Sequence, residues 1–239
     1  MTSLTSGVPE HSAESAVGLK ERHAEADREF RQFVQDPLFP CLGAKSVLRL
    51  DSYTLRVYGA LGSEAGTARF AGDLEKFSAD VAGDGKGFKA FVAVFPDSLP
   101  DSETEFERAL WRQLQLLHDA DRDGEVWASN ASSDATDPHF SFSFGGEAYF
   151  VVGLHPGSSR IARRFRWPAL VFNPHAQFMR LRAEGRFDGL RSAIRVRDTA
   201  LQGDTNPNLA DFGEQSEARQ YSGRKTETDW KCPFHRKSP

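Results

Sequence analysis

Three histidines in the most apolar third of the chain are its strongest candidates for chemistry. They are His139, His155 and His175, and each lies beside a predicted strand or helix. An imidazole there can bind a metal ion or move a proton, because its unperturbed pKa is about 6.5. Each could equally be a structural histidine that bonds a backbone carbonyl. The other four of the seven histidines lie in charged or terminal contexts and are weaker candidates.

His155 is our first choice for a metal ligand because of its position in the chain. It directly follows an apolar stretch that predicts a strand, and a Pro-Gly loop begins after it. Functional side chains often lie where a rigid strand passes into a loop. Arg160, Arg163 and Arg164 follow closely, and their planar guanidinium groups are suited to hold carboxylates of a cofactor or substrate.

A carboxylate and an imidazole occur two residues apart at Asp137 and His139. If a strand already begins there, both side chains emerge on the same face. With a further histidine they would form the two-histidine, one-carboxylate set that binds non-heme iron. Asp-Pro is also common in turns, so this pair is an alternative metal site rather than the first choice.

One further histidine and two cysteines offer iron ligands. His175 follows Asn173 and Pro174, which predict an N-cap and the first residue of a helix. The positive end of the helix dipole lowers the pKa of an imidazole at such a position and keeps it neutral. Cys41 and Cys232 could bind heme iron as thiolates, although an isolated cysteine is often only a small apolar filler. No CxxCH motif for covalent heme attachment occurs.

Arginine is concentrated in residues 160–197, which contain ten arginines, no lysine and two acidic residues. The whole chain nevertheless has a formal net charge of −4. This charge argues against nucleic-acid binding, which needs many basic groups on phosphates. The segment predicts either a solvated basic face or a region that binds carboxylates.

Helices and strands in alternation must position these residues. Apolar periodicity and capping signals predict helices over residues 21–35, 68–81, 102–117 and 174–184. Alternating or densely apolar stretches predict strands over residues 53–59, 88–95, 139–144, 148–154 and 169–172. Gly145 and Gly146 can turn the third and fourth strands into a hairpin. The pattern predicts a single α+β domain with a mixed, largely antiparallel sheet and helices packed on it.

Length and composition bound the organisation of the chain. Its 239 residues can enclose one sizeable core. Residues 1–20 predict a disordered lead-in and residues 21–239 the domain, whose stretch 201–224 is expected to wrap the surface. No apolar run approaches the roughly 20 residues that cross a bilayer, and the first residues do not resemble a secretory signal. We therefore expect a cytoplasmic protein without membrane association, and the two distant cysteines predict no disulfide.

Short segments spread over most of the chain resemble the YqcI/YcgG family. They are 39–44 (FPCLGA), 137–146 (DPHFSFSFGG), 152–156 (VGLHP), 172–175 (FNPH), 211–213 (DFG), 216–221 (SEARQY) and 232–234 (CPF). The resemblance implies a heme-dependent enzyme, because characterised members N-hydroxylate guanidino compounds such as arginine or its derivatives. It implies heme b as the cofactor, with O2 and an external electron donor as further partners.

The residues and the resemblance together define the expected site. His155 would be the axial heme ligand, with His139, His175 and Cys41 as alternatives. A guanidinium substrate needs acidic acceptors, for which Asp137 and Glu147 beside the hairpin are suited. A non-heme iron oxygenase and a non-catalytic heme carrier or sensor are the alternative functions, and nothing in the sequence excludes a homodimer.

Overall fold

The fold is taken from a computed structural model that describes residues 16–83, 87–121, 127–210 and 213–236. In these ranges one five-stranded sheet is surrounded by seven α-helices and a short 3-10 helix at Ile161–Arg163. The helices are α1 (Ala16–Gln35), α2 (Leu42–Arg49), α3 (Thr67–Gly83), α4 (Glu103–Ala120), α5 (His175–Ala183), α6 (Phe187–Gln202) and α7 (Ala218–Tyr221). The strands are β1 (Tyr53–Val57), β2 (Ala90–Val94), β3 (Phe142–Phe144), β4 (Glu147–Leu154) and β5 (Ala169–Pro174).

The sheet is mixed and has the strand order β1-β2-β5-β4-β3. β1 runs parallel to β2, whereas the other three neighbouring pairs are antiparallel. All five residues of β2 are buried, as expected of an inner strand with helices on both faces. This architecture confirms the predicted α+β class, the single domain and the β3–β4 hairpin.

Side chains alternate between the two faces of the sheet, and each face has its own apolar core. On one face, Phe91, Tyr149 and Phe172 pack with residues of α3 and α4. On the other face, Val94 and Ala169 pack with Phe30, Val34 and other residues of α1 and α2. Successive residues of β4 or β5 therefore contact different sets of helices, because their side chains point to opposite faces of the sheet.

Gly153 in β4 allows α4 to approach the sheet closely. A Cβ atom at this position would lie 2.7 Å from Phe106 Cε1 and 2.9 Å from Leu110 Cδ1, both on α4. Both distances are below van der Waals contact, so the close packing of α4 on β4 needs a residue without a side chain. Phe106 is thereby held directly over the end of β4.

Most predicted elements are present, with shifted ends. α1 begins at Ala16, before the predicted start at residue 21, and residues 1–15 of the predicted lead-in lie outside the described residues. The predicted N-cap opens α4, where Ser102 Oγ accepts the N–H of Glu105 at 3.1 Å, but the second bond of the capping box is shifted: Glu105 Oε2 accepts the N–H of Asp101, one residue before the N-cap, at 2.7 Å. No helix in the described ranges is long and apolar enough to cross a bilayer.

Other sequence predictions were wrong or incomplete. Asn173 is not an N-cap: it belongs to β5, and its Nδ2 donates to the carbonyl of Phe150. α5 begins at His175 without a side-chain cap, because Pro174 precedes it. α2 and α6 were not predicted, and the stretch 201–224 does not simply wrap the surface, since Glu217 and Tyr221 within it are buried.

Candidate functional site

A cavity of about 380 Å³ lies on the α1 side of the sheet. Its volume falls within the roughly 300–1,000 Å³ typical of small-molecule sites. Phe150 and Val152 of β4 and Val171 of β5 contribute to its apolar lining from the sheet. Residues of α1, α2, α5 and α6, Pro138, and residues of the segments 39–41, 162–163, 206–210 and 215–220 form most of the rest of the wall.

Helix α6 closes the cavity rather than packing on a core. Phe187, Leu190 and Ile194 follow each other at spacings of three and four, so they share one side of the helix, and all three line the cavity. None of the 16 residues of α6 is buried. The apolar side of α6 therefore faces a space that a ligand can fill.

Cys41 places a thiol in the wall of the cavity. It is the N-cap of α2, and its Sγ accepts the N–H of Ala44 at 3.4 Å. Burial raises the pKa of this thiol, whereas backbone N–H groups of Ala44 and Gly43 and the nearby Arg163 guanidinium lower it. The environment therefore keeps the thiol neutral, but it already contains the donors that would stabilise a thiolate bound to a metal ion.

Arg163 lines the cavity and fixes its wall. Its guanidinium donates to the carbonyls of Gly153 at 3.2 Å, Tyr221 at 2.9 Å and Gln220 at 2.8 Å. Burial lowers the pKa of Arg163 to about 10, and Asp198 acts in the opposite direction. Because these contacts join β4 to α7, Arg163 holds two parts of the cavity wall together.

His175 and Glu217 form a second polar group in the wall. His175 Nε2 lies 3.7 Å from Glu217 Oε2, and both side chains are almost completely buried. The hydroxyl of Tyr221 donates a hydrogen bond of 2.7 Å to Glu217 Oε1. The same hydroxyl accepts the backbone N–H of Phe142 at 3.0 Å. Burial raises the pKa of Tyr221 well above its ordinary value, so this phenol stays protonated.

Further cations line the cavity on α5 and α6. Arg182, Arg191 and Arg195 are half-buried there, and the guanidinium of Arg182 lies 3.9 Å from the ring centroid of Phe187. Stacking of this kind fixes the guanidinium plane. These arginines belong to the basic segment seen in the sequence, but they were not singled out there as ligand contacts.

The three arginines predicted to bind carboxylates of a cofactor have other partners. Arg160 pairs with Asp198 and Asp204, both at 2.5 Å. Arg164 donates to the carbonyls of Ser158 and Ser159, and Arg163 to the three carbonyls given above. They stabilise the loop after β4, and only Arg163 also lines the cavity.

His155 lies on the opposite side of the sheet from the cavity. Its ring stacks on Phe106 of α4, with centroids 4.3 Å apart and an interplanar angle of 22°. The side chain is 1% exposed, and neither ring nitrogen has a hydrogen-bond partner among the described residues. His155 does not line the cavity, whereas the alternatives His175 and Cys41 do.

The burial of His155 predicts a pH-dependent stability. Desolvation lowers its pKa, Arg163 adds to this effect and Glu103 opposes it. As pH falls below about 6.5, the unfolded chain binds a proton that the folded protein does not, so the free energy of unfolding decreases. We expect His155→Phe, which keeps a ring on Phe106, to lose less melting temperature between about pH 7.5 and pH 5.5 than the unsubstituted protein. An equal loss in both proteins would contradict this account.

The predicted acidic acceptors and His139 lie outside the cavity wall. Asp137 and His139 are in a turn before β3, where Asp137 Oδ1 accepts the backbone N–H of His139 at 2.8 Å and lies 3.2 Å from its Nδ1. The assumption that a strand begins at Asp137 was therefore wrong. Glu147 begins β4, and burial raises its pKa. Among the described residues no three His, Cys, Asp or Glu side chains are grouped to hold a metal ion, so the non-heme iron hypothesis gains no further ligand.

Glu217 is the functional candidate that the sequence prediction missed. No spacing rule connects it with His175, because the two residues are 42 positions apart in the chain. The packing of both α5 and α7 against β4 brings them together. The available signal was its place in the segment 216–221, which carries part of the family resemblance.

Comparison with known proteins agrees with that resemblance. The "Uncharacterized protein YcgG" of Bacillus subtilis (strain 168) is 28% identical over 209 residues, which covers 82% of this chain and 80% of that protein. No solved structure matches the chain at a significant level. The sequence profile of the YqcI/YcgG family matches residues 30–235, a range that includes every residue of the cavity wall. The chain therefore belongs to the YqcI/YcgG family.

Proposed function

We propose that the chain binds heme in this cavity and hydroxylates a nitrogen of a guanidino compound, arginine or one of its derivatives. The observation that carries the proposal is an apolar cavity whose wall contains a thiol and several arginines. A porphyrin needs an apolar slot, an axial ligand from the wall and cations for its propionates. The cavity contains residues suited to each of these three requirements.

Cys41 would be the better of the two residues in the cavity wall that could hold the heme iron. Its Sγ already accepts a backbone N–H at the start of α2, and such bonds stabilise the negative charge of a bound thiolate. His175 Nε2, the usual ligand atom of histidine, is directed towards the Glu217 carboxylate at 3.7 Å. As a thiolate, Cys41 would supply the electron-rich ligand that suits oxygenase chemistry.

The remaining polar residues of the wall have separate tasks. Arg182, Arg191 and Arg195 are suited to bind propionates or the carboxylate of an amino acid, since guanidinium groups hold carboxylates bidentately. Apolar residues of the sheet and of α6 exclude water from the reacting atoms. His175 would present its imidazole beside the substrate.

Heme supplies the oxygen chemistry when it is bound. In the overall reaction one atom of O2 is inserted into an N–H bond of the guanidino group and the other leaves as water. An external donor, a reductant or an electron-transfer protein, provides two electrons and two protons. The protein binds and orients the substrate and keeps water away.

Titration of the purified protein with hemin tests the proposal. We expect saturable uptake with a Soret band, and a red-shifted band of the ferrous carbon monoxide complex, as a thiolate ligand gives. With a chemical reductant and O2, the loaded protein should convert L-arginine to an N-hydroxylated product that mass spectrometry identifies. Absence of a Soret band would refute heme binding, whereas heme uptake without turnover of any guanidino compound would favour the carrier or sensor.

A further inference from the structure

Glu217 is a buried carboxylate in the wall of a ligand cavity. The residue is 7% exposed, and it lines the cavity together with His175, Gln215 and Gln220. Tyr221 fixes its orientation by a hydrogen bond of 2.7 Å to Oε1. The other oxygen, Oε2, is directed to His175 at a distance of 3.7 Å, which is too long for a hydrogen bond.

Among the described residues, this buried carboxylate has no arginine or lysine beside it. Within the described part of the chain no arginine or lysine lies within 4 Å of Glu217, and its only ion-pair partner is the weakly placed His175. Removing a carboxylate from water costs several kcal/mol unless a positive charge or several donors compensate for it. Positive charge is missing only beside Glu217, because four arginines line other parts of the same cavity.

We infer that Glu217 receives the cationic end of the substrate, an inference that rests on the proposed function and names the residue that selects a guanidinium. A guanidinium carries planar N–H donors that match a carboxylate and supplies the missing positive charge. Phe150 and Phe178 flank this part of the cavity, with ring centroids 6.4 Å apart, and aromatic faces attract organic cations.

The arrangement also orients a substrate with two charged ends. The arginines of α5 and α6 present positive charge to the cavity, and Glu217 presents negative charge from α7 and the segment before it. A zwitterionic amino acid with a guanidinium side chain complements both. Selection then depends on the charge of the guanidinium, since a neutral urea of the same shape does not compensate Glu217.

L-Arginine and L-citrulline provide the matched ligands for a test. Citrulline carries a neutral urea in place of the guanidinium and is otherwise closely similar in shape. We expect calorimetric titration of the hemin-loaded protein to give about 30-fold or more weaker binding of citrulline, as expected when one partner of a buried charge pair is removed. This comparison needs no substitution, so it does not depend on the folding of a variant.

Glu217→Gln then assigns the effect to the residue. Glutamine keeps an acceptor for the Tyr221 hydroxyl but removes the charge, so arginine binding should fall by about 30-fold or more while citrulline binding changes little. Glu214→Gln is the matched control, because it removes an equal charge from an exposed position of the same segment. Melting temperatures and circular dichroism of both variants verify the fold.

The outcomes separate this inference from the proposed function. Equal binding of arginine by Glu217→Gln and the unsubstituted protein, or no preference for arginine over citrulline, would overturn the role of Glu217. If no heme is taken up, the same arginine titrations are made with the heme-free unsubstituted protein and the heme-free Glu217→Gln variant. Arginine binding that still depends on Glu217 would then support the cation site while the heme proposal fails, and no arginine binding in either form would remove both.

Discussion

Cys41→Ser is expected to lower the affinity of the protein for heme by about 10-fold or more and to abolish the thiolate spectrum. Loss of residues that merely support a ligand already costs about 10–100-fold in metal affinity, so loss of the ligand itself should cost at least as much. The measurements are a hemin titration and the absorption spectrum of the ferrous carbon monoxide complex. Turnover of arginine should be lost in parallel, because the ligand controls the oxygen chemistry.

Serine is chosen because it can replace Cys41 as the N-cap of α2 while removing the thiol. The thiol caps α2 through the N–H of Ala44, and a serine hydroxyl is among the preferred N-cap groups. α2 should therefore remain folded, and the thermal stability of the heme-free variant should be close to that of the unsubstituted protein. Loss of heme could then not be attributed to unfolding of the cavity wall.

Cys232→Ser is the matched control for Cys41→Ser. Cys232 is also half-buried, and burial also raises the pKa of its thiol, but it packs on the core of the α3 and α4 side and does not line the cavity. We expect its spectrum and heme affinity to be unchanged. An unchanged thiolate spectrum in Cys41→Ser would exclude Cys41, and loss of the heme spectrum in His175→Ala would then assign the ligand to His175.

Two of the helices that the sequence predicted have apolar residues that face a core. The helices over residues 68–81 and 102–117 show the three- and four-residue spacing of a buried stripe, and both are present as α3 and α4. α6 was missed although Phe187, Leu190 and Ile194 have a similar spacing, because Arg191 and Arg195 lie on the same cavity-lining side. Charged residues within the apolar side of a helix weaken the pattern on which such predictions depend.

Prediction of the site depended on which face of the sheet holds the cavity. Leu154 lines the cavity, whereas the adjacent His155 points to α4, because neighbouring residues of a strand lie on opposite faces. The sequence indicates this alternation but not which face is lined by α1 and α6. Two of the predicted candidates, Cys41 and His175, line this cavity, while Glu217 comes to it only through long-range packing.

The segment that carries Glu217 is attached to the fold by a buried ion pair. Arg224 donates from Nη2 and Nε to Glu107 Oε2 on α4, at 2.7 and 3.0 Å. The hydroxyl of Ser222 donates to the other oxygen of Glu107 at 3.1 Å. The two charged side chains are 9% and 13% exposed, so most of their charge is shielded from water. This pair fixes the chain just after α7, the helix that ends at Tyr221 and directly follows Glu217.

Arg224→Met should lower the free energy of unfolding by about 3–5 kcal/mol, because it leaves the Glu107 carboxylate buried without its cation. Urea denaturation measures the change in the free energy of unfolding. Arg186→Met is the control, because Arg186 pairs with Glu184 at an exposed site, where a loss of about 1 kcal/mol or less is expected.

Replacing both partners, as in Glu107→Leu with Arg224→Met, should recover much of the lost stability, since an apolar pair of similar volume leaves no charge uncompensated. An Arg224→Met effect no larger than that of Arg186→Met would contradict a stabilising role for the pair. If the pair does hold α7 in place, Arg224→Met should also weaken ligand binding in the cavity, because Glu217 and Tyr221 lose their fixed position.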